Sequence, residues 1–103
     1  MDAPTCRPDE LVSDVAKRVA DGWEVCVVTN EEGVVQGLLG REAVRSGEIV
    51  RAEEAMSLGP STIRPSARRD AVAQRMRDQD LTRIVVTRSD GVLVGVLRRE
   101  DLE

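Results

Sequence analysis

Hydrophobic and polar positions run through the same order twice along this chain. Leu11, Val12, Val15, Ala16, Val19 and Ala20 keep the i, i+3, i+4, i+7 spacing of a helix with one buried face. Gly22 supplies a left-handed stop after it. Two near-continuous apolar runs follow, residues 25–29 and 34–39, and such runs predict strands covered on both faces. Between them Asn30-Glu31-Glu32-Gly33 reads as a hairpin link whose glycine is free to take a positive φ. A short helix opens at Arg41. Ahead of all this, residues 5–7 predict a short strand that Pro8 ends, because proline cannot continue a ladder.

The order then repeats. Residues 49–56 predict a linker helix, and Gly59-Pro60 breaks it. Residues 62–64 are a second short strand ending at Pro65. Ser66 is placed to cap a second helix, which turns Val72, Ala73 and Met76 inward and Arg68, Arg69, Arg75 and Arg77 largely outward. Strands at 83–87 and 92–97 flank Arg88-Ser89-Asp90-Gly91, and a short helix opens at Arg99.

The repetition is one of residues as well as pattern. VVTNEEGVVQGLLGREAV from Val27 and VVTRSDGVLVGVLRREDL from Val85 share nine of eighteen positions at an offset of 58. Upstream, Arg7/Arg64, Pro8/Pro65, Val15/Val72 and Arg18/Arg75 match at an offset of 57. The change of offset puts one extra residue in the second copy, near Asp80. A lone β-α-β-β-α unit cannot cover both faces of its sheet, whereas two packed sheet to sheet can. The expected fold is therefore α/β (α+β), a pair of βαββα units related by a pseudo-two-fold axis, with a cleft at each end of the seam. Copy one is assigned to residues 1–47, and the linker helix with copy two to residues 48–103.

Composition sharpens this picture. Of the 103 residues 41% are hydrophobic but only 1% aromatic, so Val, Leu, Ile, Ala and Met must build the core. A monomer of this size buries only about 60–70% of its unfolded surface, and a homodimer is expected. The sole aromatic, Trp23, aligns with Leu81; packing in the core or a dimer interface is its expected role, with stacking on a ligand base as the alternative. Residues 1–57 carry twelve carboxylates against six cations, whereas residues 58–103 carry nine arginines against seven carboxylates. That asymmetry suits self-association or an anionic ligand near the second half. No basic stripe is interleaved with aromatics, so nucleic acid is not an expected partner. Cys6 and Cys26 fall in apolar strand-like segments and read as buried thiols. With no histidine in the chain, a zinc site lacks ligands. No stretch approaches the ~20 apolar residues of a membrane helix, and the first ten residues show no apolar signal core. A cytoplasmic location with no membrane partner is the expectation.

The hairpin Asp90-Gly91-Val92-Leu93-Val94-Gly95-Val96-Leu97, running into Arg99-Glu100-Asp101-Leu102, resembles a CBS domain, and the duplication of every part in order extends the resemblance to a CBS-domain pair. The segments Ala52-Glu53-Glu54-Ala55-Met56 and Ser61-Thr62-Ile63-Arg64-Pro65 are similar to the helix and strand that open such domains. The resemblance implies a regulatory module binding an adenosine nucleotide between the copies. It also implies a ligand motif, G-h-h-[ST]-x-x-[DN], after the third strand. There the carboxylate accepts ribose hydroxyls and the helix start attracts phosphate. Copy one has Gly40 and Ala43 at the two polar positions. Copy two keeps the carboxylate as Asp101 but has Arg98 for the hydroxyl. By this resemblance a nucleotide belongs in copy two. Asp101 would hold the ribose, Thr62 and Ile63 would present backbone to the base, Val85 would pack on the ring, and Arg98 or Arg99 would stand near phosphate.

No nucleophile, base and oxyanion set is present, so no enzymatic activity is expected. Nor is any required cofactor or metal. AMP, ADP, ATP or S-adenosylmethionine are the ligands to consider. Two functions remain open at this point. One is a sensor of an adenine nucleotide acting on an effector protein in trans. The other is a CBS-like dimerisation or protein-interaction module whose ligand sites have decayed.

Overall fold

The computed structural model describes residues 4–19, 25–58 and 61–102. Copy one places β1 (Thr5–Cys6), α1 (Val12–Arg18), β2 (Cys26–Thr29), β3 (Val35–Leu39) and α2 (Arg41–Ser46) in order, and α3 (Ala52–Ala55) follows. Copy two has β4 (Thr62–Ile63), α4 (Arg69–Asp78), β5 (Arg83–Thr87), β6 (Leu93–Arg98) and a 3₁₀ turn at Arg99–Asp101. The two three-stranded sheets have orders β1-β2-β3 and β4-β5-β6. Each has a parallel first pair and an antiparallel second pair. Thr5 faces Val27 in one sheet as Thr62 faces Val85 in the other, and each hairpin ladder shifts register once, after Val28 and after Val86.

Reciprocal hydrogen bonds join the hairpins. Val35 N donates to Gly91 O (3.0 Å) and Leu93 N to Gly33 O (2.9 Å), with Val34 and Val92 bridged between them. Gly33 (φ 83°) and Gly91 (φ 87°) hold a left-handed turn that a side chain would strain. The turns are otherwise closed differently. In copy one the Asn30 side-chain oxygen accepts from Glu32 N and Val34 N (2.9 and 3.0 Å). In copy two Asp90 accepts from Val92 N (3.2 Å) and holds Arg88 (2.6 Å).

Three apolar clusters result from strands whose residues alternate between faces. Val27, Val85 and Val96 pack between the sheets with Val35, Leu38 and Leu93. Cys6, Val15, Cys26, Val28 and Leu39 form the outer core of copy one, and Ile63, Val72, Met76, Ile84 and Val86 that of copy two. Both cysteines are free and buried. A hydrogen bond to Cys6 and then burial push the Cys26 thiol far up, so it stays protonated and packs as a small hydrophobe.

Several elements differ from the sequence pattern. The second helix starts at Arg69, and Arg68 rather than Ser66 stands at its N-cap without a side-chain bond. Ala67 N closes a turn onto Arg64 O (3.0 Å) first, which spends Ser66 in the turn. The linker helix shrinks to Ala52–Ala55 because its flanks pair with copy one instead. Val12 N and Ser13 N donate to Val50 O and Glu48 O, and Leu38 and Ser57 exchange both backbone bonds. Ala52, Ala55 and Met56 then pack on the copy-one core. The extra residue of copy two falls at a real break, where Asp80 takes a positive φ of 52°. Gly22, Trp23, Gly59 and Pro60 lie outside the described residues.

Arg18 ties α1 to β1, donating to Thr5 O (3.1 Å) and pairing with Glu10. That partner, helped by the Arg7 backbone N–H, holds the Glu10 carboxyl below its ordinary value. A depressed carboxyl stabilises the fold only while ionised. The contribution is therefore complete above about pH 4.5, the ordinary glutamate value, and is lost as pH falls further. Because Arg18 is half-exposed, Arg18→Ala should cost no more than about 1 kcal/mol. Urea titrations should show that difference shrinking toward zero below pH 4. A constant difference down to pH 3 would mean that Arg18 acts through packing or through Thr5 alone.

Candidate functional site

Arg83 opposes Arg98 across the β5–β6 ladder, as Val85 opposes Val96. Paired residues point to one face, so the two arginines continue the face that Val85 and Val96 turn toward copy one. A narrow apolar pocket of about 180 Å³ lies in this seam. Val25 and Leu38 line it from copy one, and Leu81, Val85 and Val96 from copy two, with Ser57, Ser61 and Arg83 as its polar groups. Beside it is a polar recess of about 260 Å³ lined by Thr82, Arg83, Arg99 and Glu100. Arg83 lines both. Among the described residues its Nε is buried without a hydrogen-bond partner, a state that costs free energy in a folded protein.

The sequence-predicted residues divide between this seam and a second cavity. Val85 faces the seam pocket. Arg99 lines the recess, lies 3.9 Å from Asp80, and gives its backbone N–H to Thr82 O (2.9 Å). Arg98 turns its guanidinium back onto Asp101, with Nε 3.1 Å from the carboxylate, and onto Glu100 at 3.4 Å. These partners, Asp101 foremost, hold the Arg98 cation above its ordinary value. Asp101 follows Glu100, which lines the recess, and its own carboxylate is engaged by Arg98. The Thr62 carbonyl accepts from Arg75 (3.1 Å), the counterpart of Arg18 on Thr5.

The second cavity, of about 470 Å³, lies on the outer side of the copy-two sheet. Its apolar wall includes Ile63, Val72, Val86, Gly95, Leu97 and Leu102, and Arg64, Arg69 and Asp101 stand on its lining. Arg69 donates to Asp101 O (3.1 Å). Ile63 and Asp101 therefore belong to this cavity, and every residue lining it comes from copy two. Arg83 was not singled out by the sequence reading. The signal was available, since a charged residue replaces Val25 at the start of an otherwise apolar strand.

A family model described as the CBS domain matches residues 52–102. The whole chain superposes on the CBS domains of a transcriptional regulator from Streptococcus pneumoniae, with a TM-score of 0.80 at 25% identity, covering 96% of this chain and 84% of that one. The chain belongs to the CBS-domain family. It is a CBS-domain pair, its two sheets meeting through the hairpins as described. It is also similar in fold to the cytosolic domain of the Mg²⁺ channel MgtE in complex with ATP, with a TM-score of 0.86 at 23% identity over 97% of this chain. This chain spans 43% of that one. A third similar fold is CBSX2 in complex with AMP, with a TM-score of 0.78 at 18% identity, covering 97% and 84% of the two chains. None of the curated proteins matches the sequence. No helix among the described residues is long and apolar enough to cross a membrane, and no group among them could hold a metal ion.

Proposed function

We propose that this CBS pair is a regulatory module that binds an adenine nucleotide at the copy-two end of the seam and acts on an effector in trans. The observation that carries the reading is Arg83, a cation set between an apolar slot and a polar recess with a buried Nε that no described residue satisfies. An apolar slot with a few convergent polar groups is the usual form of a small-molecule site. The base occupies the slot against Val85, and the phosphate meets Arg83 with Arg99 near it. Asp101, which stands on the lining of the outer cavity and is bound to Arg98, holds the ribose hydroxyls only after it leaves Arg98 and turns toward the recess. Copy one offers Gly40 and Ala43 at the corresponding positions and is not the site. Similar folds carrying ATP or AMP support the ligand class.

Calorimetric titration with AMP, ADP, ATP and S-adenosylmethionine tests the proposal. One of these ligands should bind saturably, and Asp101→Ala should weaken it by roughly ten- to a hundredfold, the loss expected for a hydrogen bond to a charged group. No binding by the wild type would leave the second reading, an interaction module. That reading is favoured by the Arg98–Asp101 pair, which closes the carboxylate off.

A further inference from the structure

The copy-two cavity is the repeat counterpart of a groove that copy one fills with its own chain. In copy one, Cys6, Val15, Val28, Leu39 and Val44 pack against Val50, Ala52, Ala55 and Met56. Gly37 is the key to that contact, since a Cβ there would lie 2.6 Å from Met56 Sδ and 2.8 Å from Ser57 O. Six backbone bonds hold the segment. Val12 N and Ser13 N donate to Val50 O and Glu48 O. Ala52 N and Glu53 N donate to Glu10 O and Pro8 O. Leu38 and Ser57 bond each other twice, all at 2.8–3.0 Å.

Moved to copy two at the repeat offsets, each apolar partner has a counterpart on the wall of the 470 Å³ cavity: Ile63, Val72, Val86, Leu97 and Leu102, with Gly95 for Gly37. β6 is the sheet edge, and no described residue bridges Val96 as Ser57 bridges Leu38. Val94 beside it is 49% exposed. The N–H groups of Arg69 and Asp70, counterparts of Val12 and Ser13, are the first two of helix α4 and have no partner within the helix. The two halves also differ in charge. Arg64 and Arg69 line this cavity against one carboxylate, Asp101, whereas the segment that fills copy one carries Glu48, Glu53 and Glu54 against one cation, Arg51.

We propose that this groove docks an acidic peptide segment of a partner protein. The segment adds one residue to the β6 edge at Val96 and lays a single helical turn, with small residues and a methionine at the spacing of Ala52, Ala55 and Met56, over Gly95. Edge addition supplies main-chain bonds and the pocket supplies side-chain selection, the division of labour seen in strand-addition recognition. The groove and the seam pocket lie on opposite faces of the β5–β6 hairpin, with Asp101 of the groove lining as the residue the two readings share.

The probe is a blocked peptide of residues 48–58 of this chain, titrated into the ¹⁵N-labelled full-length protein. Saturable one-to-one binding should shift the amides of Ile63, Val72, Gly95 and Val96. Gly95→Val should weaken it roughly tenfold or more, because a side chain there overpacks the site. Val94→Glu, an exposed change that leaves the core intact, should weaken it too by setting an acid against the acidic peptide. A scrambled peptide should not bind. The proposal is overturned by no saturable binding, or by shifts confined to residues 6–44, which would mean exchange with the linker on copy one. It is also overturned if Gly95→Val dissociates a dimer while the peptide leaves the wild type untouched, which would assign the groove to a second copy.

Discussion

Gly37→Val should destabilise the fold by about 2–4 kcal/mol, at or above the upper range for overpacking a filled site. The new Cβ alone would come within 2.6–2.8 Å of Met56 Sδ, Met56 Cγ and Ser57 O, and the two methyl groups beyond it have nowhere to go. Met56 is flexible and could withdraw, but the Ser57 carbonyl is fixed: it accepts from Leu38 N while Ser57 N donates to Leu38 O. Relief therefore requires the strap from Glu48 to Ser57 to lift off copy one, exposing Val15, Val28 and Leu39. Gly40→Ala is the control, because nothing lies within 4 Å of a Cβ built there and the backbone φ is −77°. Urea unfolding should give a large loss for the first variant and a change within about 0.5 kcal/mol for the second. Equal effects would mean that Gly37 is not a packing site.

Arg83→Leu should separate stability from binding. Its guanidinium brings a buried nitrogen with no partner among the described residues into a pocket whose other walls are mostly Val and Leu. Removing such an orphan group lifts a desolvation penalty of about 1–3 kcal/mol, so the variant should be at least as stable as the wild type. If Arg83 is held for phosphate, the same change should weaken nucleotide binding by roughly ten- to a hundredfold, since charge-assisted bonds contribute about 1.5–3 kcal/mol. The weakening should grow from AMP to ATP as the phosphate chain lengthens. Lower stability with unchanged binding would show that Arg83 is a structural residue, and Arg99 would then be the cation to examine.

Much of the fold was legible because period and repetition are local signals. The strand at 83–87 matches β5 residue for residue, and the inserted residue near Asp80 coincides with a left-handed backbone position. Element ends were less legible. Ser66 looked like a cap, but a turn closing on Arg64 delays the helix to Arg69, and residues 49–51 looked helical but are drawn out by hydrogen bonds to α1. Of the candidate site residues, Val85 lines the seam slot and Arg99 the recess beside it, while Ile63 and Asp101 line the outer cavity. A motif spaced along β6 and its turn does not state which face each side chain takes.

The sequence by itself determined the repeat, the βαββα order, the apolar faces and the hairpin glycines, because each depends on residues within a few positions of one another. Tertiary structure alone decided where the linker goes. Residues 48–57 precede copy two in the chain yet pack on copy one, since Gly37 opens space for Met56 and the β3 edge offers Leu38 to Ser57. It also decided that half-buried Arg83 stands between two pockets with its Nε covered, and that Arg98 pairs its charge with Asp101. These outcomes depend on surfaces brought together from distant parts of the chain, where hydrogen-bond satisfaction and close packing choose among partners that local pattern leaves equivalent.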